Sequence, residues 1–194
     1  VSNAAIEANG STTVTFRGHE INLSPPWRRV SLKEELLVTS GIDVDKCVEV
    51  ADLVAAARER NVDVGERDSR GRIIDKLISA LVEPSLIQPT LLIDYPIEIS
   101  PLAKSKKDDP SYVERFEAFA GGMEIANAFT ELNDPQDQRG RFQEQEALRQ
   151  LYGNEDFDRI DEDFLVAVEY GMPPTGGLGL GIDRLVMLLT GQRT

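Results

Sequence analysis

Two alternating runs joined by a glycine pair constrain the fold more than any other part of this sequence. Residues 113–120 and 123–131 have the composition of strands, and Gly121-Gly122 lies between them. A Gly-Gly pair supplies the positive φ angles of a tight turn, so the segment predicts an antiparallel hairpin. It belongs to a C-terminal half in which short strands, from Leu86 onward, replace the helical pattern of the preceding residues.

Composition and charge exclude several classes of function. The 194 residues are 41% apolar and 28% charged, which is typical of a folded domain. The net charge of −13 argues against broad nucleic-acid binding, although a small anionic ligand could still be held by one or two arginines. A single Cys and a single His exclude a Cys/His zinc site, and the single Cys indicates a reduced compartment. No apolar run is long enough to cross a membrane, and no signal-peptide pattern is present.

Helix and strand signals divide the chain into three segments and predict an α+β fold. Residues 1–30 contain a β-branched run, a Gly18-His19 turn and a returning run, which predict a β-hairpin at the entry to the sheet. Residues 31–84 show helical periodicity and predict a small helical insertion. Residues 85–194 mix short strands with helices and predict the main body of the domain.

Capping residues set the expected helix bounds. Ser31 and Glu34 form a capping-box pattern, and Asp134-Pro135 combines an N-cap with a proline at the first helical position. Residues 104–110 contain no apolar side chain and predict a mobile surface loop. The predicted helices cover 32–38, Asp43 or Asp45 to about Arg60, 69–81, 135–152 and 161–170, and a last one begins at Ile182.

The hairpin strands carry polar side chains among apolar ones. Strand alternation places Asn127, Phe129 and Glu131 in one row of the second strand. The same rule puts Glu124 on the face opposite Asn127, while Glu117 lies on the first strand. A carboxylate in a cleft lined by a sheet is costly unless it meets a cation or a metal. From the residues alone, an edge hairpin with solvated carboxylates is the favoured interpretation, and a binding site is the alternative.

The glycine-rich run 176–181 is the second candidate site. Glycines alternating with leucines favour a strand against which a flat ligand or another backbone packs closely. The helix that follows offers free N–H groups and carries Arg184 in its first turn, a combination that suits a nucleotide. The spacing fits neither a Rossmann fingerprint nor a P-loop, and a core strand with a structural arginine is the open alternative.

Taken together, these motifs resemble the class II aminoacyl-tRNA synthetases, and within them the lysyl-tRNA synthetase family. The resemblance extends over essentially the whole chain. Residues 169–184 resemble motif 3 of the class, and the strand 127–131 resembles the one that selects lysine rather than aspartate. The most specific stretches are Pro89-Thr90, Tyr95-Pro96, Ser100-Pro101-Leu102-Ala103, 115–145 and 169–184.

The resemblance implies roles for nine residues, with ATP and Mg²⁺ as cofactors. The implied magnesium ligands are Glu117 and Glu124. The implied lysine-binding residues are Asn127, Phe129 and Glu131. The implied ATP-binding residues are Gly177, Gly179, Gly181 and Arg184. No side chain is implied as a general base, since positioning and Mg²⁺ neutralisation carry the chemistry of this class.

The implied activity is the activation of lysine with ATP and its transfer to tRNA(Lys) by a cytoplasmic homodimer. The family's anticodon-binding OB-fold and class II motifs 1 and 2 have no counterpart in the 194 residues. The chain is therefore expected to be the C-terminal part of a catalytic domain and to be inactive alone. Two alternatives stay open: a paralogue that lysylates a protein, and a fragment that binds without catalysis.

Overall fold

The chain folds around a five-stranded sheet flanked by helices and by a separate hairpin. The structure is a computed structural model that describes residues 1–65, 67–153 and 160–193, so parts of the predicted second and third segments lie outside the described residues. The strands are β1 (Thr13–Phe16), β2 (His19–Asn22), β3 (Arg28–Ser31), β4 (Thr90–Pro96), β5 (Tyr112–Phe119), β6 (Glu124–Thr130) and β7 (Gly176–Leu180). The α-helices are α1 (Ser2–Asn9), α2 (Leu32–Ser40), α3 (Val50–Glu59), α4 (Arg70–Leu77), α5 (Pro135–Tyr152), α6 (Glu162–Glu169) and α7 (Ile182–Thr190).

The large sheet has the strand order β3-β4-β5-β6-β7, and it confirms the predicted α+β class. The pairs β4–β5, β5–β6 and β6–β7 are antiparallel, whereas β3 runs parallel to β4. Parallel neighbours need a long crossover connection, and residues 32–89 provide it. Strands β5 and β6 lie inside the sheet, so the interpretation of their segment as an edge hairpin is wrong.

The first thirty residues form the predicted hairpin, but not an extension of the large sheet. Strands β1 and β2 pair from Thr13 with Asn22 to Phe16 with His19, and within the described residues they form a two-stranded sheet of their own. Helix α1 was not expected from the sequence, and it ends where Gly10 adopts a left-handed conformation. Within the described residues, β3 is the strand of this segment that pairs with the large sheet.

The helical segment confirms one predicted helix and corrects the next. The Ser31 hydroxyl accepts a hydrogen bond from the Glu34 amide and caps α2, which Gly41 ends. The helix expected from Asp43 or Asp45 instead begins at Val50. The Asp43 carbonyl accepts bonds from the amides of residues 46 and 47, which close a single turn, and the chain is extended again at the N-cap of α3. Helix α4 ends at Leu77 and continues as a π-helical turn, Ile78–Val82, and a 3₁₀ turn, Glu83–Ser85.

The helical segment and the sheet share one hydrophobic core. Apolar side chains of α2 and α4 pack against the face of the sheet that also carries Leu92, Val113 and Phe119. The opposite face is covered by the hairpin β1–β2 together with α7. Residues 31–84 therefore cover the sheet as well as connecting two of its strands, and the segment boundaries at 30/31 and 84/85 stay predictions.

The predicted surface loop after Ala103 begins as part of the sheet. The Lys104 amide donates to the Thr130 carbonyl at 2.8 Å, and Ser105 forms a bridge with Val113. The Lys106 ammonium lies 2.9 Å from the Asp94 carboxylate. Mobility therefore stays a prediction only for the residues that follow Lys106.

Candidate functional site

Three strands bring the predicted site residues onto one face of the sheet. Glu117 on β5 is paired with Asn127 on β6, and Asn127 is paired in turn with Gly179 on β7. One step along β6, Phe129 is paired with Gly177. Because directly paired residues of a sheet share a face, these five residues form one continuous surface.

A bulge moves Glu124 to this same face. In β6, Ala126 is paired with Ala118, but Glu124 rather than Ile125 is paired with Phe119, so Ile125 is an extra residue. A one-residue bulge reverses the alternation beyond it. Glu124 therefore lies on the face of Glu117, and the expectation that it faces away from Asn127 is wrong.

Glu117 is held at the centre of a polar network. Its Oε1 accepts from Arg115 Nη2 at 2.6 Å and its Oε2 accepts from the Tyr95 hydroxyl at 2.7 Å. Burial raises the pKa of the Glu117 carboxyl, since only 13% of the side chain is exposed, and the nearby Glu124 charge raises it further. Arg115 and Tyr95 act in the opposite direction. Burial, followed by the charge of Glu117, raises the pKa of the Tyr95 hydroxyl, which therefore stays protonated and serves as a donor.

Arg115 makes contacts to four other parts of the site. Its Nε donates to Asn127 Oδ1 at 3.1 Å, and its Nη1 donates to the Ile99 carbonyl and to Ser100 Oγ. Its guanidinium also stacks on the Tyr95 ring, 4.6 Å from the centroid. The side chain is 16% exposed, so the guanidinium has a fixed position rather than a solvated one.

Glu131 carries a carboxylate with no partner among the described residues. It follows β6 directly and forms an isolated bridge with Ala103. Within the described ranges, no donor or cation contacts its side-chain oxygens. Glu131 is half-buried, and this burial, without a compensating charge, raises the pKa of its carboxyl.

The glycines of β7 differ in how much free space surrounds the position where a Cβ atom would lie. A Cβ atom at Gly177 would lie 2.1 Å from the Glu131 carboxylate, so the absent side chain gives that carboxylate its place. A Cβ atom at Gly179 or Gly181 would meet other atoms only at 3.5 Å or more, an ordinary contact. A side chain at position 177 would therefore displace the Glu131 carboxylate, whereas the space beside Gly179 is open.

Arg184 lies at the end of the site next to Glu124. Its Nη1 donates to the carbonyl and to the carboxylate of Glu124, both at 2.9 Å. The two side chains are 49% and 35% exposed, respectively, so a dissolved ligand can reach them. Arg184, which is predicted to bind ATP, and Glu124, which is predicted to bind Mg²⁺, thus form an ion pair with each other.

A small cavity opens beside this face. It has a volume of about 150 Å³. The residues that line it are Ile99, Ser100, Pro101, Leu102, Ala103, Arg115, Asn127 and Phe129. Two of the three residues predicted to bind lysine therefore contribute to its wall, and Ala103 connects it to Glu131 through the isolated bridge.

The donor set fits a magnesium ion shared with a phosphate ligand. In the part of the chain that the structure describes, no three His, Cys, Asp or Glu side chains converge as a complete ligand set. Glu117 and Glu124 are close enough for the charge of one to raise the pKa of the other. Mg²⁺ is usually held by one or two carboxylates, with waters and substrate phosphates completing its shell. A pair of carboxylates without further protein ligands is consistent with that mode.

Sequence reasoning assigned no role to Arg115, Tyr95 or Ser100. The signal for Arg115 was available, because it precedes Glu117 by two positions on a strand and therefore shares its face. Ser100 and Tyr95 come from the connection after β4 and from β4 itself, and only the folded chain brings them to Arg115. The folded chain thus adds a central cation to the predicted site.

Comparison with known proteins identifies the family. The family model described as tRNA synthetases class II (D, K and N) matches residues 2–194, so the chain belongs to this family of synthetases. It is also similar to proteins named lysine–tRNA ligase. That of Moorella thermoacetica is 50% identical over 190 residues, which cover 98% of this chain and 39% of the relative. That of Chloroflexus aurantiacus is 48% identical over 193 residues, which cover 99% of this chain and 39% of the relative.

Two further observations concern the length of the chain and the character of its helices. The chain spans about two fifths of the length of the relatives that it matches. Among the described helices, none has the length and apolar character needed to cross a membrane.

Proposed function

We propose that this chain provides the lysine pocket and part of the ATP site of an enzyme that activates lysine with ATP. The observation that carries the proposal is the row Asn127, Phe129 and Glu131, which ends in a carboxylate without a partner among the described residues. A desolvated carboxylate beside an aromatic ring favours a ligand with a cation on an aliphatic stem. The relatives named lysine–tRNA ligase support the choice of lysine.

The row suggests how the amino acid would be oriented. The ε-ammonium of lysine would pair with Glu131, and its aliphatic stem would lie along Phe129. Asn127 Oδ1 already accepts from Arg115, so the amide NH₂ is the group left to donate to the ligand. A donor suits the carboxylate end of the amino acid. The pocket would therefore recognise both charged ends of lysine.

The neighbouring groups suggest how ATP would be held. We assign Glu117 and Glu124 to Mg²⁺, and Arg184 to the phosphates and adenine, beside the open backbone of Gly179 and Gly181. When bound, Mg²⁺ neutralises the negative charge of the phosphates during attack of the lysine carboxylate. Arg184 now pairs with Glu124, so a phosphate would compete with this carboxylate for the guanidinium. The side chains of this face orient the reactants, and none is assigned as a general base.

The biological setting is proposed from the family. We propose tRNA(Lys) as the acceptor of the activated lysine, a homodimer as the working form and the cytoplasm as the location. Residues 1–194 by themselves are expected not to form lysyl-adenylate. Arg115, the cation at the centre of the described site, is already bound to Glu117 and Asn127, which leaves no central cation for the α-phosphate.

Amino-acid-dependent ATP–pyrophosphate exchange tests the proposal in the full natural protein. Lysine should stimulate exchange, whereas norleucine, which has a similar length and no ammonium, should not. In the Glu131→Gln variant, the difference between the exchange rates with lysine and with norleucine should be smaller. Exchange that responds equally to an amino acid without a side-chain cation would contradict the lysine assignment. Near-enzyme exchange by purified residues 1–194 would contradict the expected inactivity of this part alone.

A further inference from the structure

Among the described residues, Arg115 is the one side chain that hydrogen-bonds to both halves of the proposed site. Its Nη2 bonds to Glu117, which is assigned to the metal, and its Nε bonds to Asn127, which is assigned to the amino acid. These two contacts use different nitrogens of one planar guanidinium. A guanidinium is rigid, so its nitrogens cannot move independently of each other.

The guanidinium is also anchored from outside the two halves. The Ile99 carbonyl and Ser100 Oγ accept from Nη1 at 2.9 and 2.8 Å, respectively. The Tyr95 ring lies against its face, and the Tyr95 hydroxyl bonds to the second oxygen of Glu117. Arg115 therefore also connects both halves of the site to the turn after β4 and to β4 itself.

We propose that Arg115 is a positioning residue that couples the lysine pocket to the Mg²⁺–ATP site. It holds the Asn127 amide and the Glu117 carboxylate in one frame, so that a ligand that orders one of them orders the other. Lysine should therefore bind more tightly when Mg²⁺ and an ATP analogue are present, and by linkage the ATP analogue should bind more tightly when lysine is present. This inference rests on the proposed function, because it takes the two ligands from that assignment.

The test is a thermodynamic cycle measured by titration calorimetry on the full natural protein. The dissociation constant of lysine is measured with and without Mg²⁺ and a non-hydrolysable ATP analogue, and the ratio is the coupling factor. We expect a factor of at least about 5 in the unaltered protein, within the usual range of coupled sites. In Arg115→Lys, which keeps the charge but loses the planar fork, the factor should fall below about 2.

Arg141→Lys is the matched control. Arg141 is also a buried arginine that bonds to a backbone carbonyl and a serine hydroxyl, those of Ala103 and Ser105. Within the described part of the chain, its remaining partner is the Asp137 carboxylate, and it bonds to neither Asn127 nor Glu117. This variant should lower the melting temperature and leave the coupling factor unchanged, because a general loss of packing does not connect the two ligands.

The outcomes separate this inference from the proposed function. Coupling that survives in Arg115→Lys, or that is absent from an unaltered protein that binds both ligands, would overturn the role of Arg115 alone. No lysine binding by the unaltered protein would overturn the proposed function, and the coupling with it. If Arg115→Lys does not fold, Ser100→Ala removes one anchor of the guanidinium and should lower the coupling factor at least twofold. An unchanged factor in Ser100→Ala would then overturn the inference.

Discussion

The Gly121-Gly122 turn offers a test in which two neighbouring glycines should respond differently to the same change. Both have a left-handed backbone, with φ of +65° and +67°, and the Ala120 amide closes the turn on the Met123 carbonyl at 3.0 Å. Alanine at either position carries the strain of a positive φ, on the order of 1–2 kcal/mol. The backbone contribution is therefore nearly the same for Gly121→Ala and Gly122→Ala.

The surroundings of the two glycines differ. A Cβ atom at Gly121 would lie 2.7 Å from the ring of Phe16, which is fully buried and cannot move aside freely. At Gly122 the nearest atom, the Pro84 carbonyl oxygen, would be 3.5 Å away, an ordinary contact. Overpacking of a core typically costs about 1–3 kcal/mol. We therefore expect a loss of about 1–2 kcal/mol for Gly122→Ala and about 2–5 kcal/mol for Gly121→Ala.

Urea unfolding followed by the fluorescence of the single tryptophan measures both losses. Trp27 packs against the core cluster that contains Phe16, so its signal reports on this region. The free energies are compared at equal slope of the denaturant dependence, which shows that the two variants expose the same surface on unfolding. Equal losses for the two variants would refute the proposed clash with Phe16, and no loss in either would refute the strained turn.

Three further predictions concern the site in the full natural protein. Glu131→Gln should raise the lysine KM by roughly 100-fold or more, as expected for loss of one partner of a buried ion pair. Because burial raises the pKa of Glu131, the ionised carboxylate destabilises the fold above that pKa. The Glu131→Gln variant should therefore melt at an equal or higher temperature at neutral pH. A change in the lysine KM below threefold would place Glu131 outside the pocket. Gly179→Ala should leave stability within about 1 kcal/mol and raise the ATP KM, since only an ordinary contact is added within the chain. Unchanged ATP kinetics would remove β7 from the ATP site. Glu117→Gln and Glu124→Gln should each raise the Mg²⁺ concentration needed for half-maximal exchange more than the lysine KM, and an unchanged Mg²⁺ requirement in both would exclude them as ligands.

Alternation along β6 could be predicted from the sequence as far as the strand is regular. It placed Asn127 and Phe129 correctly on one face, since both belong to the regular part of the ladder. It failed for Glu124, because the rule assumes that every residue has a partner on the neighbouring strand, and Ile125 is skipped in the pairing with β5. Register irregularities depend on the partner strand and on the turn, neither of which is visible in a single strand.

The starts of the helices could be predicted where the capping contact is local, and could not where the residue contacts a distant part of the chain. Ser31 and Asp134 cap helices as predicted, since their side-chain oxygens bond to amides within three residues. Asp43 and Asp45 are equally good capping residues in isolation, yet Asp45 is instead bonded to the Tyr112 hydroxyl on β5 and to Lys33. The expected helix is therefore absent where Asp45 takes its partners from other elements of the fold.

The parallel pairing of β3 with β4 has a consequence for the order in which the sheet assembles. The hairpin β5–β6 closes over the short Gly121-Gly122 turn, whereas Arg28 reaches its partner Thr90 only after the whole crossover has folded back. Closing a longer loop costs more entropy, and contacts between distant residues form later. The strand β3 should therefore join the sheet after this hairpin has formed, and in pulse-labelled hydrogen exchange the amides of β5 and β6 should become protected before that of Val30. Until then the edge of β4 that later pairs with β3 has unpaired backbone groups. In a newly made chain, another strand can add to this edge more readily than to the closed hairpin.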